Sequence, residues 1–394
     1  MNKNHLNIAF FCLPETLLVS EGIVRSGSII ANEQLISFLE KSGHRVHRIA
    51  PKSQERMNLR SIVGIGNMAM FQEVVNRIDE INKCDVVITT NYFGTILPEI
   101  KKPLITIFHH SAKSIIDICN QQEISAKRDK LFRKWQKKLC FVDHKDVQEE
   151  ILHDQMVAIT EQKLIDLSEA IVAVSKNLAT EIEKNYIINK ANLHTIHNSL
   201  PTITQFDLAK KKYNQINLSC VTRLPVSESG FFAKGGDRIF EVMGRLRTKV
   251  PKIDLTISTD GKKYEPFIKK YLAGINLNCN LPHDLVIKQF ESSNVSFHAS
   301  RLESFGLTLV ESMAMANIPI AFNAGVSGEL IKDGKNGFIV NNVNQVPKII
   351  HRLSKNEKKM KIMGLAAKET VESILETRRV FGEFEKLLYK VIVQ

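Results

Sequence analysis

Two glutamates in the second half of the chain, Glu303 and Glu311, have seven residues between them, and the pair Phe305-Gly306 follows the first. An apolar run predicts a strand that ends near Ala299, and a helical pattern begins at Phe305. A glycine at a helix N-terminus lets backbone N–H groups approach an anion closely, so a diphosphate fits this turn. Glu311, about one and a half turns into the helix, could accept hydrogen bonds from two ribose hydroxyls. Both glutamates could instead be solvated charges on the helix flank.

Two cations lie upstream of the glutamates. Arg223 follows a predicted strand, and Lys234-Gly235-Gly236 precedes a predicted helix. Two cations that converge on a leaving pyrophosphate would neutralise the charge that develops on its oxygens. Lys234 could also be an ordinary surface lysine.

In the first half, His109 and His110 follow an apolar run that predicts a strand. Open α/β sheets build their sites at the carboxyl ends of strands, which makes these histidines site candidates. Because the two histidines are adjacent, the choice between them stays open at this point. A histidine at a strand end could equally be a packed or hydrogen-bonded bystander.

A basic segment at residues 127–139 carries seven cations around an apolar helical face and the only tryptophan of the chain. Such a helix suits an anionic membrane surface. A solvated helix whose apolar stripe packs on the sheet explains the pattern equally well. The candidate membrane contacts are Lys127, Arg128, Lys130, Arg133, Lys134, Trp135, Lys137 and Lys138.

Short β-rich runs alternate with longer amphipathic stretches along the chain, which predicts βαβ units and parallel sheets. With 394 residues, two domains are expected, and a composition shift around Asn198–Lys212 indicates a linker. The amphipathic stretch Val380–Ile392 must cover a surface, either beside the second domain or on the first. The predicted strands are Asn7–Leu13, Arg45–Ala50, Asp85–Thr90, Leu104–Phe108, Ala170–Val174, Ile216–Val221, Ile253–Ser258, Val295–Ala299 and Ile318–Phe322, and the predicted helices include Ser28–Lys41, Asp237–Leu246 and Phe305–Met315.

Composition narrows the class of protein. A formal net charge of +12 and a pI near 9.3 indicate an anionic partner such as nucleotide phosphates, a membrane leaflet, an acidic polymer or nucleic acid. The six cysteines show no Cys-x-x-Cys spacing, so we expect neither a zinc site nor a disulfide framework. No apolar run reaches the roughly 18 residues of a spanning helix, and a cytoplasmic location is expected.

The stretch Ser300–Ile320, followed by Ala324–Gly334 and Asn336-Gly337-Phe338, resembles the donor-site signature of the retaining glycosyltransferase family 4. The resemblance implies an α/β fold of the GT-B architecture, with two Rossmann-like doubly wound domains facing across a cleft and a C-terminal helix crossing back to the first. It places an acceptor-side domain at residues 1–205, with 376–394 packing back on it, and a nucleotide-sugar domain at 206–375.

The resemblance also implies roles for individual residues. Glu303 would lie beside the transferred sugar, Glu311 would hold the ribose, and His109 would lie near the donor sugar and the acceptor, so Glu303 and His109 are the catalytic candidates. The family usually has glycine where this chain has Asn317, so a left-handed asparagine is expected to cap the preceding helix. The acceptor-side candidates are Gly22, His109 and His110, and the donor-binding candidates are Arg223, Lys234, Glu303, Ser304, Phe305, Gly306, Leu307 and Glu311.

The function expected from this resemblance is retaining transfer of a sugar, from a UDP-sugar by family frequency, to a surface glycan such as lipopolysaccharide, capsule or a lipid-linked saccharide. The enzyme would work in the cytoplasm, peripherally on the cytosolic face of the inner membrane. No cofactor and no metal are expected, because the sequence has neither an Asp-x-Asp motif nor clustered His and Cys ligands. A phage-type DNA glucosyltransferase and a noncatalytic nucleotide- or glycan-binding protein remain alternatives, and nucleic acid is not the favoured partner.

Overall fold

The computed structural model describes residues 5–12, 27–50, 65–91, 99–117, 120, 146–200, 206–226, 228–258 and 261–393. These residues form two compact units. The first unit consists of the described residues within Met1–Ser114, Leu152–Ser199 and Leu375–Gln394, and the second of those within Ile115–Ile151 and Leu200–Ile374.

The first unit is built on a six-stranded sheet in which every pairing is parallel and the strand order is β2-β1-β3-β4-β5-β6. All residues of β3 and β4 are buried, as expected for strands covered on both faces. The strands are β1 (Asn7–Phe11), β2 (Arg45–Ile49), β3 (Val86–Thr90), β4 (Leu104–Phe108), β5 (Ala170–Ala173) and β6 (Leu193–Thr195).

Described helices lie in four of the five connections between these strands, in keeping with the parallel pairing. A further helical segment at residues 112–117 follows β4, and a 3-10 turn at Lys190–Asn192 precedes β6. The named helices are α1 (Gly27–Lys41), α2 (Ile65–Asn76), α3 (Ile78–Ile81), α4 (Asp146–Leu167) and α5 (Lys176–Asn185).

The second unit contains another parallel sheet, with the order β12-β11-β10-β7-β8-β9. Counted from β7, this is the Rossmann order 3-2-1-4-5-6 read in reverse. The strands are β7 (Asn217–Arg223), β8 (Lys252–Ser258), β9 (Asn276–Cys279), β10 (Val295–His298), β11 (Ile318–Phe322) and β12 (Phe338–Val340).

The helices of the second unit pack around an apolar core that includes Leu218, Phe240, Phe297 and Ile320. A 3-10 turn at Leu208–Lys210 precedes β7. The helices are α6 (Glu228–Ala233), α7 (Gly236–Leu246), α8 (Gly261–Tyr271), α9 (His283–Ser292), α10 (Leu307–Ala314), α11 (Ser327–Leu330), α12 (Gln345–Leu353) and α13 (Glu357–Ile374).

One more helix, α14 (Thr377–Val393), belongs to the first unit although it follows the whole second sheet in sequence. It packs against α1, with the rings of Phe38 and Phe381 5.5 Å apart and His44 Nε2 3.2 Å from Glu385 Oε1. The prediction that the C-terminal helix returns to the first domain is confirmed, as is the α/β fold with two parallel Rossmann-like sheets.

The expected left-handed asparagine at the end of α10 is wrong. Ala316 adopts the left-handed conformation, with φ of 54°, and Asn317 is buried. The Asn317 amide donates to the carbonyls of Phe290 at 2.8 Å and Ser312 at 3.1 Å, and its oxygen accepts from Ser293 Oγ at 3.0 Å. The asparagine is therefore used for its side-chain hydrogen bonds rather than for its backbone conformation.

Among the helices in the described ranges, none is both long and apolar enough to cross a bilayer.

Candidate active site

The candidate site lies where the strand order of the second sheet reverses. Strand β7 pairs with β8 on one side and β10 on the other, so the connections that leave β7 and β10 diverge at their carboxyl ends. Open α/β sheets bind ligands at such a switch point. Arg223 ends β7, and the segment from Ala299 to Gly306 follows β10. Two of the predicted donor-binding regions thus meet at the same edge of the sheet.

Backbone hydrogen bonds join the segment after β10 to the turn between α6 and α7. The N–H groups of Arg301 and Leu302 both donate to the Ala233 carbonyl, at 2.8 and 3.1 Å. The Arg301 guanidinium binds Asp237 through two parallel hydrogen bonds of 2.7 and 2.8 Å and also donates to the Phe232 carbonyl at 2.9 Å. Bidentate pairs of this kind fix orientation. The result is that residue 234 lies beside residue 303.

Lys234 and Glu303, both predicted site residues, form an ion pair. Lys234 Nζ lies 2.9 Å from Glu303 Oε2, and the two side chains are 27% and 31% exposed. Ser300 Oγ lies 3.5 Å from the same oxygen. Within the described residues, Glu303 Oε1 has no hydrogen-bond partner. The pair holds both side chains at the switch point and leaves one carboxylate oxygen available to a ligand, which argues against Lys234 as an ordinary surface lysine.

Two glycines allow close packing around the start of α7, one against the segment after β10 and the other against α6. Gly235 has φ of +69°, and a Cβ there would lie 2.1 Å from the Ala299 carbonyl oxygen. A Cβ on Gly236 would lie 2.2 Å from the Phe231 ring. Only glycine fits both constraints, so the Lys234-Gly235-Gly236 run is explained by the backbone it must adopt.

The Arg238 side chain contacts and stabilises the segment that follows β10. Its Nη1 donates to the Ala299 carbonyl at 3.0 Å, and its guanidinium carbon lies 3.7 Å from the centre of the Phe322 ring. Burial, with a smaller contribution from nearby Arg301, lowers the pKa of Arg238 to about 10, so it stays charged at neutral pH. A half-buried cation therefore lies against the loop that carries Glu303.

The turn before α10 has the geometry expected of an anion-binding helix start. Gly306 has φ of +100°, and α10 begins at the next residue, Leu307. The first N–H groups of a helix have no intrahelical acceptor and carry partial positive charge. The neighbouring loop buttresses this turn, because Val326 N–H donates to the Phe305 carbonyl at 2.9 Å and a Cβ on Gly325 would lie 2.4 Å from that oxygen.

Glu311 is not a solvated charge. It is 3% exposed, and His283 Nε2 lies 2.7 Å from its Oε1. In the described part of the chain, Glu311 Oε2 has no hydrogen-bond partner. His283 was missed by the sequence reasoning, because it lies 28 positions upstream, at the start of α9, and only the fold brings it to Glu311.

His298, at the end of β10, was also not predicted. Burial lowers the pKa of its imidazole to about 3, so the ring is neutral at physiological pH. Its Nε2 lies 3.0 Å from Ser296 Oγ and 3.3 Å from Ser312 Oγ. These bonds tie the end of β10 to α10.

Arg223 is exposed, and no hydrogen bond or ion pair in the described structure joins it to Lys234 or Glu303. Its place at the end of β7 is the feature that keeps it a candidate. Ser304 and Phe305 lie in the turn between Glu303 and α10, as the sequence predicts.

In the first unit, His109 and His110 follow β4. His109 is 8% exposed, its Nε2 lies 2.9 Å from Asn32 Oδ1 on α1, and burial, together with nearby His110, lowers its pKa to about 3. The His109 ring is therefore neutral and hydrogen-bonded. His110 lies closer to the surface, and both its carbonyl and its Nδ1 lie 3.0 Å from Asn91 Nδ2.

Near His110, Glu161 on α4 is fully buried. It accepts hydrogen bonds from Asn91 Nδ2 at 2.6 Å, from the Ala112 N–H at 3.1 Å and from the Tyr186 hydroxyl. This network fixes the connection after β4.

Gly22 and the basic segment Lys127–Lys138 lie outside the described residues. Across the ranges that the structure describes, no group of three or more His, Cys, Asp and Glu side chains is arranged to hold a metal ion.

Part of the sequence is similar to a known protein family. Residues 224–370 match the family model described as "Glycosyl transferases group 1". That range contains Lys234, His283, Glu303 and Glu311, and begins one residue after Arg223. The matched range lies wholly within the second unit.

Two curated relatives match parts of the chain. An uncharacterized glycosyltransferase of Methanocaldococcus jannaschii is 34% identical over 129 residues, which are 31% of this chain and 37% of that protein. The N-acetyl-alpha-D-glucosaminyl L-malate synthase of Bacillus anthracis is 24% identical over 238 residues, which are 58% of this chain and 61% of that protein. The chain thus spans less than two thirds of the length of either relative.

Solved structures match over nearly the whole chain. Sucrose-phosphate synthase from Thermosynechococcus elongatus gives a TM-score of 0.71 at 14% identity, covering 99% of this chain and 100% of that one. HepE of Anabaena, solved with UDP and glucose, gives 0.64 at 15% identity, covering 98% and 100%. At these identities the likeness shows the fold alone, and that fold is of the GT-B class, with two Rossmann-like domains.

Proposed function

We propose that the protein is a retaining glycosyltransferase that moves a sugar from a UDP-sugar to a hydroxyl of a cell-surface glycan, such as lipopolysaccharide, capsule or a lipid-linked saccharide. One observation carries the proposal. At the switch point of the second sheet, the residues that follow β10 combine an ion pair between Glu303 and Lys234, a left-handed turn at Gly306 and the buried carboxylate of Glu311.

In this proposal the diphosphate of the donor binds at the start of α10. The N–H groups at Gly306 and Leu307 supply partial positive charge, and Lys234 and Arg223 supply full charges. Negative charge grows on the leaving diphosphate as the bond to the sugar breaks, so cations placed there in advance stabilise the transition state more than the ground state. These side chains would make a metal unnecessary.

Glu311 would accept hydrogen bonds from the ribose, and Glu303 would accept one from a sugar hydroxyl through its available oxygen. The bond between the anomeric carbon and the phosphate oxygen breaks, and a bond to the acceptor oxygen forms on the same face. The acceptor proton passes to the departing phosphate. His109 is neutral because of its burial, so its part would be a hydrogen bond near the donor sugar rather than a positive charge.

The relatives support the nucleotide-sugar part of this proposal. The Bacillus anthracis protein is named for joining a glucosaminyl group to L-malate, and the Anabaena protein was solved with UDP and glucose. The net charge of +12 favours an anionic acceptor surface, and with it a peripheral position on the cytosolic face of the inner membrane.

The first test is thermal stabilisation of the purified protein by UDP-, GDP- and ADP-sugars in the presence of EDTA. The proposal expects one nucleotide, UDP, to raise the melting temperature, and Glu311→Ala and Lys234→Ala to abolish the shift. Lys269→Ala, on the exposed face of α8, is the matched control and should leave the shift unchanged. No shift with any nucleotide would refute the donor site.

Acceptor identity needs a second assay. Release of UDP from the stabilising donor is measured with lipopolysaccharide, lipid-linked saccharide and L-malate as acceptors. Stimulation by L-malate alone would replace the surface-glycan part of the proposal. Stabilisation by duplex DNA, lost as salt rises, would favour the DNA-modifying alternative, and donor binding without any turnover would favour a noncatalytic binding protein.

A further inference from the structure

The Glu311 carboxylate is held in an unusual environment for a glutamate. The side chain is only 4% exposed, whereas the imidazole of His283 that contacts it is 46% exposed. A buried carboxylate is costly unless it is hydrogen-bonded or paired. The contact of 2.7 Å from His283 Nε2 to Glu311 Oε1 is the hydrogen bond that the described structure gives this carboxylate.

The direction of this bond follows from chemistry. An ionised carboxylate can only accept, so Nε2 carries the proton and donates to Oε1. The terminal torsion of a glutamate is broad, and one fixed oxygen sets the plane of the whole group. Oε2, which has no partner among the described residues, is thereby aimed in one direction, and Oε1 retains a second lone pair.

His283 can hold this orientation because α9 is itself fixed at both ends. Pro282 precedes His283 with φ of −53°, the value that the proline ring imposes. At the other end, the carbonyl of Phe290 accepts from Lys211 Nζ at 2.7 Å and from the Asn317 amide at 2.8 Å. Helix α9 also packs directly against α10, which carries Glu311.

We infer that His283 is a positioning residue of the donor site, which orients the Glu311 carboxylate so that it accepts hydrogen bonds from the two ribose hydroxyls of the donor. The inference rests on the proposed function, because it takes Glu311 as the ribose ligand. His283 acts through Glu311 and not on the reacting atoms. Its loss therefore weakens recognition of the ribose hydroxyls and leaves the chemical step largely intact.

The test measures how strongly the protein distinguishes a ribose from a deoxyribose. Dissociation constants are measured for UDP, ADP and GDP and for their 2′-deoxy counterparts, with the wild type and His283→Ala. A hydrogen bond to a charged group contributes enough that the wild type should prefer the ribonucleotide by about 10- to 100-fold. In His283→Ala this preference should fall below about 3-fold.

Two further variants separate positioning from general damage. His283→Gln retains an N–H donor and should recover most of the ribose preference, and His351→Ala removes an exposed histidine on α12 and should change nothing. With a donor sugar in turnover, His283→Ala should raise the donor KM about 10-fold and change kcat by less than about 2-fold.

The outcomes are distinct. If the wild type binds no nucleotide, the donor site fails and the inference fails with it. If the wild type prefers ribonucleotides and His283→Ala keeps the same preference, the donor site stands and the inference is overturned. Equal loss in His283→Ala and His283→Gln, with kcat falling as much as affinity, would also overturn it.

Discussion

Replacing Gly235 by alanine tests the close approach on which the Lys234–Glu303 pair depends. A Cβ at Gly235 would lie 2.1 Å from the Ala299 oxygen and 2.7 Å from its carbonyl carbon, where ordinary contacts begin at 3.4 Å. The carbonyl would have to retreat by about 1 Å. That carbonyl also accepts from Arg238 at 3.0 Å, so the substitution disturbs a second contact.

Three contributions determine the loss of stability expected for Gly235→Ala. A left-handed conformation costs an alanine about 1–2 kcal/mol, and overpacking adds about 1–3 kcal/mol. Alanine also lowers the conformational entropy of the unfolded chain, which offsets about 0.4–1 kcal/mol of this loss. The expected loss for Gly235→Ala is about 3 kcal/mol, or a fall in melting temperature of about 6–12 °C for a domain of this size.

Gly334 provides a matched control. It has φ of +73°, nearly the value of Gly235, but a Cβ there would meet nothing within 4 Å. Gly334→Ala thus carries the conformational cost without the clash, and the expected loss is about 1 kcal/mol, or about 2–4 °C. Both variants are melted side by side by differential scanning fluorimetry, with and without the stabilising nucleotide.

The Gly235 substitution should also weaken nucleotide binding, because Lys234 is displaced from Glu303, whereas Gly334→Ala should bind normally. Equal falls in melting temperature for the two variants would refute the reasoning, since the contact with Ala299 would then cost nothing. Normal nucleotide binding by Gly235→Ala would show that the position of Lys234 is unimportant.

Three further predictions follow from the described contacts. Asn317→Gly, which introduces the residue expected from the family pattern, should lower stability by about 2–4 kcal/mol because it leaves buried partners without hydrogen bonds. Urea unfolding measures this loss, and an unchanged free energy of unfolding would contradict the prediction. Burial lowers the pKa of His298 from an ordinary 6.5 to about 3, so the unfolded state binds more protons and stability should decline as pH drops below about 6.5. His298→Asn should reduce the fall in melting temperature between pH 6.5 and 4, part of which remains because the pKa of buried His109 is also lowered, whereas His351→Asn should leave that fall unchanged. Arg301→Lys, which loses the bidentate hydrogen bonds to Asp237, should weaken nucleotide affinity about 3- to 10-fold. Calorimetry that finds wild-type affinity would show that these hydrogen bonds do not position the donor site.

Local patterns were enough to predict most strands. Leu104–Phe108 and Ile318–Phe322 appear at the predicted bounds, because short, nearly continuous apolar runs are typical of strands that are buried on both faces. Helix ends were harder to predict. The helix expected to begin at Phe305 begins at Leu307, because Gly306 takes a left-handed conformation that the helix cannot include.

Only some residues of the candidate site could be predicted from the sequence. Lys234, Glu303 and Glu311 could be picked out because each belongs to a short motif with a recognisable spacing. His283, Arg301 and Asn32 could not, because each is defined by a partner distant in sequence that only the folded sheet brings near. The roles of the predicted site residues stay predictions until donor binding is measured.

The membership of α14 in the first unit bears on how the chain folds as it is synthesised. The second sheet is encoded by one uninterrupted stretch, so it can form while the ribosome is still at work. The first unit needs partners such as His44 and Glu385, which are 341 positions apart. At a synthesis rate of about 5–20 residues per second, α14 leaves the ribosome on the order of 20–70 s after α1. Until then, the apolar face of α1 lacks the helix that packs against it. A premature stop before Thr377 would therefore release a chain that contains every described strand of both sheets but lacks α14, the helix that packs against α1 in the first unit.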